Sequence, residues 1–313
     1  MKKALVIGAN GQDGTFLVRH LIASGRYNVI GVGKQDSPSC NINSLSFQYL
    51  KIDLREENKL SEVLRNSKPD LICHVAVVHT SAGGAYETLF RDVLKVNVGS
   101  VYTILEYQRE RLESIFIYAS SAKVFGTPLP EFIHEDTPKK NQCLYSISKN
   151  TAFHLIDYYR KNHGCQASVV HLFNHESELR PDGFFIPTIL KCLVSAMNDD
   201  SHVTHVNTLD FYCDWGSAKE YMSIMMEMGD KAPTEDFVVA RGVCLYARDF
   251  VRNLFARYGL DYKDHIKERG ISCETQNKPY AVILEKLRKH MDLIPVISID
   301  EVCKTILSNR YGI

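Results

Sequence analysis

No sign of charge dominates this chain: its 313 residues carry 37 basic and 37 acidic side chains. Without a one-signed field, nucleic acid and anionic membrane surfaces are not expected partners. Long apolar runs are missing as well, and none is long enough to span a bilayer. Paired cysteines are absent. Those present, Cys40, Cys73, Cys143, Cys165, Cys192, Cys213, Cys244, Cys273 and Cys303, are scattered and form no Cys-x-x-Cys spacing. An odd, dispersed set fits reduced thiols used as small apolar residues rather than a disulfide framework. A metal-ligand set is lacking too. His202 and His205 are spaced like ligands, but no Cys, Asp or Glu group joins them, so no metal is expected. Neither internal repeats nor low-complexity tracts occur. The opening run from Met1 to Gly8 has two lysines and then only a strand-length apolar stretch. It has neither the length nor the cleavage site of a signal peptide, so a soluble cytoplasmic protein is expected.

What the chain does have is alternation. Apolar residues make up 45% of it, enough to bury one large core or a main domain with a smaller lobe. Short β-branched runs at Ala4 to Ile7, Val29 to Val32, Tyr49 to Leu54, Leu71 to Val78, Ser114 to Ser120, Ala167 to Phe173 and Phe237 to Ala240 read as strands. Amphipathic segments separate them: a helix face at Phe16, Leu17, Leu21 and Ile22, then Asn58 to Ser67, Leu94 to Arg109 and Ser146 to Asn162. Strands alternating with helices imply an α/β, doubly wound parallel sheet with right-handed crossovers. Burial on both faces explains the continuous apolar runs. Past residue 174 the alternation weakens, with a turn at Pro181-Asp182-Gly183, a helix from Ile186 to Met197 and a break at Asp199-Asp200-Ser201. The division expected is 1–174 for dinucleotide binding and 175–313 for a substrate-binding lobe, with the strand near 237–240 returning to the main sheet.

Gly8, Asn10, Gly11, Gln12, Asp13 and Gly14 lie between the first strand and the first helix. Glycine permits a tight turn and close backbone approach to a pyrophosphate, which a helix N-terminus favours. About twenty residues further on, where an acid would grip a ribose 2′-hydroxyl, the chain reads Gly33-Lys34-Gln35-Asp36. Lys34 suits a 2′-phosphate and Asp36 comes two places late, which points to NADP(H) ahead of NAD(H). Asp53, ending the third strand, is placed to accept from an adenine amino group, and Leu54 and Ala76 complete the cofactor-binding set.

Tyr145 and Lys149 stand four apart in Tyr-Ser-Ile-Ser-Lys, so on a helix they share a face. A nearby ammonium favours the phenolate and lowers the tyrosine pKa. Tyr145 can then take a hydroxyl proton while a nicotinamide takes the carbon-bound hydride. Ser121, at the end of the fifth strand, would donate to the same substrate oxygen. Cys143 flanks this pair and is expected only to pack, while Asn97 is expected to brace its helix beside the fourth strand.

With these parts in order, the chain resembles the extended short-chain dehydrogenase/reductases, over nearly its whole length. It is most similar to GDP-mannose 4,6-dehydratases, whose glycine loop continues as in Gly11-Gln12-Asp13-Gly14. Leu172-Phe173-Asn174-His175-Glu176-Ser177, Leu209-Asp210 with Asp214-Trp215-Gly216-Ser217-Ala218-Lys219, and Arg248 in Tyr246-Ala247-Arg248-Asp249-Phe250 resemble further segments. The resemblance implies a Rossmann sheet with a smaller mixed C-terminal lobe, a homodimer built on the helices at 94–109 and 146–162, and a nucleotide-diphosphate sugar substrate, GDP-linked ahead of others. Lys123, Asn174, His175, Glu176, Arg180 and Arg248 are the substrate-binding residues it implies, His175 and Glu176 as binding or structural groups rather than acid–base catalysts. In the dimer, Phe153 and Ile156 would be buried between subunits.

The departures are informative. Such dehydratases carry Thr-Ser-Glu where this chain has Ser121-Ala122-Lys123, and their glutamate does the acid–base work of losing water across C5 and C6. Lys123 is no carboxylate base, and the segment from Ser120 to Gly126 is closer to nucleotide-sugar 4-epimerases. Cys213 stands in place of an arginine near the diphosphate, and a later Arg-Pro-x-Glu element is reduced to Cys273-Glu274. Both losses weaken bidentate phosphate grip. The expectation is an oxidoreductase acting at C4 of a nucleotide-diphosphate sugar as dehydrogenase, reductase or epimerase. A 4,6-dehydratase with a non-standard acid is the alternative, and a catalytically silent cofactor-binding subunit or sensor the rival from another class.

Overall fold

The computed structural model describes all residues except 40, 41, 43, 80–85, 232, 233 and 271–275, so the Cys273-Glu274 element and Cys40 lie outside the described residues. Seven strands form one sheet in the spatial order Asp236–Val239, Ala167–Leu172, Ile115–Ser121, Leu71–His74, Lys2–Ile7, Tyr27–Gly33, Phe47–Lys51. Every neighbouring pair is parallel. The chain builds outward from its first strand to the third, then crosses back to lay the fourth on the first strand's other side. That reversal is the switch point of a doubly wound sheet, where a crevice opens beyond the strand ends.

Side-chain alternation sorts the first strand between two layers. Ala4 and Val6 join Leu17, Leu21, Met222 and Met225 on one face. Leu5 and Ile7 join Leu60, Leu64, Ile104 and Ile156 on the other. The fourth and sixth strands are buried throughout, which is why they read as mostly apolar runs, His74, Ser168 and His171 being their buried polar members. The helix Ala218–Lys231, beyond position 174, packs on this sheet through Met222, Met225 and Met228 beside the Gln12–Ala23 helix. Tyr280, Leu284, Leu287 and Met291 join the same layer, so more of the second half returns to the main sheet than the single expected strand.

A separate cluster including Ile189, Leu193, Trp215, Phe250, Leu254 and Ile306 forms the lobe's core. Its small sheet is mixed: Tyr212–Ser217 runs parallel to Asn174–Glu176 and antiparallel to Cys244–Tyr246.

Two elements differ from the sequence reading. The fourth strand stops at His74 rather than Val78, because the N–H groups of Val75 and Ala76 both turn to Ile7 O at 2.9 Å. The helix expected at 94–109 begins at Phe90 and carries a π turn, Lys95–Gly99, before continuing as Ser100–Glu110. That turn drops Asn97 into the interior, where its Oδ1 accepts from Val78 N at 2.9 Å and its Nδ2 donates to Ser148 Oγ at 3.1 Å. Ile156 is fully buried within its own subunit and Phe153 half-buried. The outward faces of these helices instead present Leu94, Tyr102 and Tyr158.

Candidate active site

The crevice floor is built from glycines that admit no side chain. Gly8 has φ +95°, and a Cβ there would lie 2.6 Å from Ala76 N. A Cβ on Gly14 would lie 2.0 Å from Gly8 O, so the first helix touches the loop backbone. Gly11 stands at the N-terminus of the Gln12–Ala23 helix with no capping side chain. The first-turn N–H groups are thereby left to an anionic ligand. This cradle at the switch point fits a dinucleotide's pyrophosphate.

Around it the expected residues divide. The Asn10 side chain is tied within the protein: Nδ2 reaches Ser37 O at 2.9 Å and Tyr49 OH at 3.1 Å, and Oδ1 accepts from Ser39 N at 3.0 Å. It ties the cradle to the loop after the second strand. Gln12 and Asp13 likewise turn inward. Ser177 Oγ donates to Gln12 Oε1 at 2.8 Å, and His175 Nε2 lies 3.0 Å from Asp13 Oδ1. Burial works against the charges of this pair, but each holds the other charged: Asp13 sits below its ordinary value and His175 above. His175 therefore braces the cradle.

Lys34 is exposed at the second strand's end and within electrostatic reach of Asp53. Asp53 is clasped by Arg55, whose Nε lies 3.0 Å from both carboxylate oxygens, and this pairing pulls its carboxyl down to about 2. Any adenine contact must therefore share a carboxylate that Arg55 already grips. Leu54 is buried with Ile52 and Leu60 in the core. Asp36 pairs with Lys51 rather than standing free.

The structure brings Ser121, Tyr145 and Lys149 together. Tyr145 and Lys149 lie on one face of the Leu144–His163 helix, which Cys143 caps by accepting from Ser146 N. Tyr145 is hydrogen-bonded to Ser121 at the fifth strand's end. The Lys149 ammonium donates to Ala119 O at 2.7 Å, and lies 4.7 Å from the Tyr118 ring centroid and 5.9 Å from that of Tyr145. Burial pushes the lysine down to about 7. In the protein alone Tyr145 is raised, not lowered, because burial outweighs the Ser121 hydrogen bond that opposes it. Burial thus outweighs any lowering by Lys149, whose ammonium donates to Ala119 O.

Two groups escaped the sequence reading. His79, five residues past the fourth strand, lies 4.8 Å ring to ring from Tyr145, and its Nδ1 is hydrogen-bonded to Tyr86 OH. Tyr86 in turn lies 5.9 Å from Tyr145. His79 is exposed at the pocket mouth as a whole residue, but desolvation of its ring and the cations Arg180, Lys123 and Lys149 lower its pKa from the ordinary value. The legible signal was its position: the first ionisable residue after a switch-point strand.

On the substrate side, the Arg180 guanidinium stacks 3.8 Å from the Phe184 ring, and Phe184 packs on His79. Arg180 Nε lies 3.6 Å from Glu176 Oε2, and burial pushes the Glu176 carboxyl up to about 7. Lys123 is exposed beside Ser121, whose Oγ accepts its backbone N–H at 3.3 Å. Asn174 is turned toward Cys213 Sγ at 2.9 Å. Arg248 donates two hydrogen bonds to Glu268 at 2.6 and 3.2 Å, and Glu268 also accepts from Leu209 N. Among the described contacts nothing joins Asn174 or Arg248 to the Tyr145 cluster. Among the described residues no group of three His, Cys, Asp or Glu could hold a metal ion, and no helix is long and apolar enough to cross a membrane.

A glycine cradle at the switch point of a parallel sheet, facing a Ser-Tyr-Lys trio, defines an extended short-chain dehydrogenase/reductase. Within that class the chain belongs to the GDP-mannose 4,6 dehydratase family, whose model matches residues 5–301. It is thus a nicotinamide-dependent enzyme of the nucleotide-sugar dehydratase and epimerase group. The GDP-mannose 4,6-dehydratase of Sinorhizobium fredii (strain HH103) is 28% identical over 294 residues, 88% of this chain and 82% of that protein. The Vibrio cholerae protein of the same name is 27% identical over 262 residues, 80% of this chain and 70% of that one. In structure, dTDP-glucose 4,6-dehydratase from Bacillus anthracis, in complex with NAD, matches with TM-score 0.85 at 17% identity, covering 100% of this chain and 98% of that one. UDP-glucose 4-epimerase from Thermotoga maritima, with UDP-glucose, gives 0.83 at 16% identity, covering 98% and 97%.

Proposed function

We propose that this enzyme exchanges hydride at C4 of a nucleotide-diphosphate sugar without eliminating water. The observation that carries the reading is Lys123, an ammonium beside Ser121 where the resembling dehydratases place a carboxylate. When bound, the nicotinamide supplies the hydride acceptor or donor. Ser121 donates to the sugar O4, and Tyr145 takes the O4 proton. Lys149, charged below about pH 7, steadies the phenolate once substrate and cofactor reshape the pocket. Lys34 supports NADP(H) over NAD(H), although the structural relatives described with a cofactor hold NAD. The relatives' names support a guanosine nucleotide, and the exposed Leu94, Tyr102 and Tyr158 support a homodimer. The described cysteines are all free, which supports a reducing, cytoplasmic setting.

A second reading is a 4,6-dehydratase, favoured by the family match. Glu176, pushed up to about 7, is the carboxyl that would have to replace the missing glutamate. Mass spectrometry of products from a panel of nucleotide sugars tests the choice. Oxidised or isomeric products support C4 chemistry, and loss of water supports the dehydratase.

A further inference from the structure

We infer that Tyr118 is a positioning residue for the catalytic lysine: the face of its ring holds the Lys149 ammonium, charged, against the fifth strand. This deepens the proposed role of Lys149 and rests on it. Two consecutive residues of that strand hold the same ammonium. Ala119 O accepts from it at 2.7 Å, and the Tyr118 ring centroid lies 4.7 Å away, closer than that of Tyr145 at 5.9 Å. A cation over an aromatic face is attracted by the ring's negative π cloud, most strongly where water is excluded. Water is excluded here, since Lys149 is 2% exposed and Tyr118 is fully buried.

The other groups around the ammonium supply little charge to balance it. Asp13, on the cradle side, acts through its field but is itself paired with His175 at 3.0 Å. His74 on the fourth strand and His79 beyond it feel the same ammonium, and both sit below their ordinary values, so neither adds charge near neutral pH. Burial raises Tyr145 and Tyr118, which leaves both phenols neutral. Tyr118 is also fixed in place. It pairs in register with His74 and Val169 on the flanking strands, and its ring lies 5.6 Å from that of His74 and 6.3 Å from that of Phe116. Its hydroxyl has no hydrogen-bond partner among the described residues, so the ring, not the hydroxyl, is what the ammonium meets. A ring held this firmly sets where the ammonium stands, and so the distance from which Lys149 acts on Tyr145.

Near-isosteric replacements test this without emptying the core. Tyr118→Phe removes only the unpartnered hydroxyl. Phenylalanines carrying one, two or three ring fluorines at the same position then weaken the π face stepwise. Lys149 is titrated in each cofactor-free protein by NMR of isotope-labelled lysine, its signal assigned by its absence from Lys149→Met. Tyr118→Phe should titrate like the wild type. The trifluorinated ring should lower the midpoint by about one pH unit, a tenfold loss of proton affinity, with the other rings in order between. The alkaline limb of kcat for C4 exchange on a nucleotide sugar should move down in the same order. Equal midpoints across the series overturn the inference, whatever the activity. Midpoints that fall in order beneath a fixed kcat limb overturn the positioning role and the proposed role of Lys149 together. If no nucleotide sugar turns over, the C4 reading fails, and the titration alone still decides whether Tyr118 holds the ammonium.

Discussion

Lys149 is a buried charge, and among the described residues its ammonium meets Ala119 O, two aromatic rings and the field of Asp13. Its folded pKa of about 7 lies below the ordinary 10.5. Between those values the unfolded chain holds a proton that the folded chain lacks, so stability from this group rises with pH there and is poorest below about 7. Lys149→Met should therefore gain thermal stability over the wild type near pH 6, with the gain shrinking toward about pH 9. Calorimetry on the cofactor-free proteins measures it. A gap that does not change with pH contradicts the assignment. Tyr145→Phe should keep cofactor binding but lower turnover by roughly two to four orders of magnitude. Near-normal turnover would remove Tyr145 from the mechanism. Both residues were legible because a four-residue spacing on a helix fixes a shared face. The sign of Tyr145's shift was not, because it depends on burial and on where the ammonium points. His79 was marked in the sequence only by its position after the fourth strand, and the meeting of His79 and Tyr86 with Tyr145 is a tertiary contact that no local pattern encodes.

At the scale of elements, the cradle separates glycines that sterics demand from one that function demands. Gly14→Ala forces a Cβ to within 2.0 Å of Gly8 O. It should cost about 1–3 kcal/mol, as overpacking does, and abolish cofactor binding. Gly11→Ala meets only Gly8 O at 3.4 Å, so the fold should tolerate it while cofactor affinity falls. Equal thermal destabilisation of the two variants would contradict this contrast. The loop's glycine spacing was plain in the sequence because it reports local contact. The Asp13–His175 link was not, since the two residues are 162 positions apart. The π turn at Lys95–Gly99 was also hidden, because one extra residue barely alters an amphipathic pattern. Asn97 nonetheless braces this region as expected. Asn97→Ala strands Val78 N and should cost about 1–3 kcal/mol of stability in denaturant unfolding. No loss would mean the brace is dispensable.

For the whole molecule, short β-branched runs alternating with amphipathic segments announced a parallel sheet, because strands buried on both faces are mostly apolar. The packing of Ala218–Lys231 and of Tyr280 to Met291 on that sheet was not announced. An amphipathic pattern says that one face is buried, not against which surface. The same limit applied to assembly: helical spacing marked Ile156 as buried, but its cover is its own subunit. Tyr102 and Tyr158, 50% and 55% exposed, are the residues a homodimer would cover. Replacing both with glutamate should yield a monomer in sedimentation at micromolar concentration, from a dimeric wild type. A monomeric wild type would contradict that assembly.

The central claim is hydride exchange at C4 with the C6 oxygen retained. A single turnover of the unmodified enzyme with a C4-deuterated nucleotide sugar tests it most directly. The predicted result is deuterium on the nicotinamide ring, transiently or in the product cofactor, and a sugar that has lost no water. A 4-keto-6-deoxy sugar formed at an ordinary enzymatic rate would contradict it.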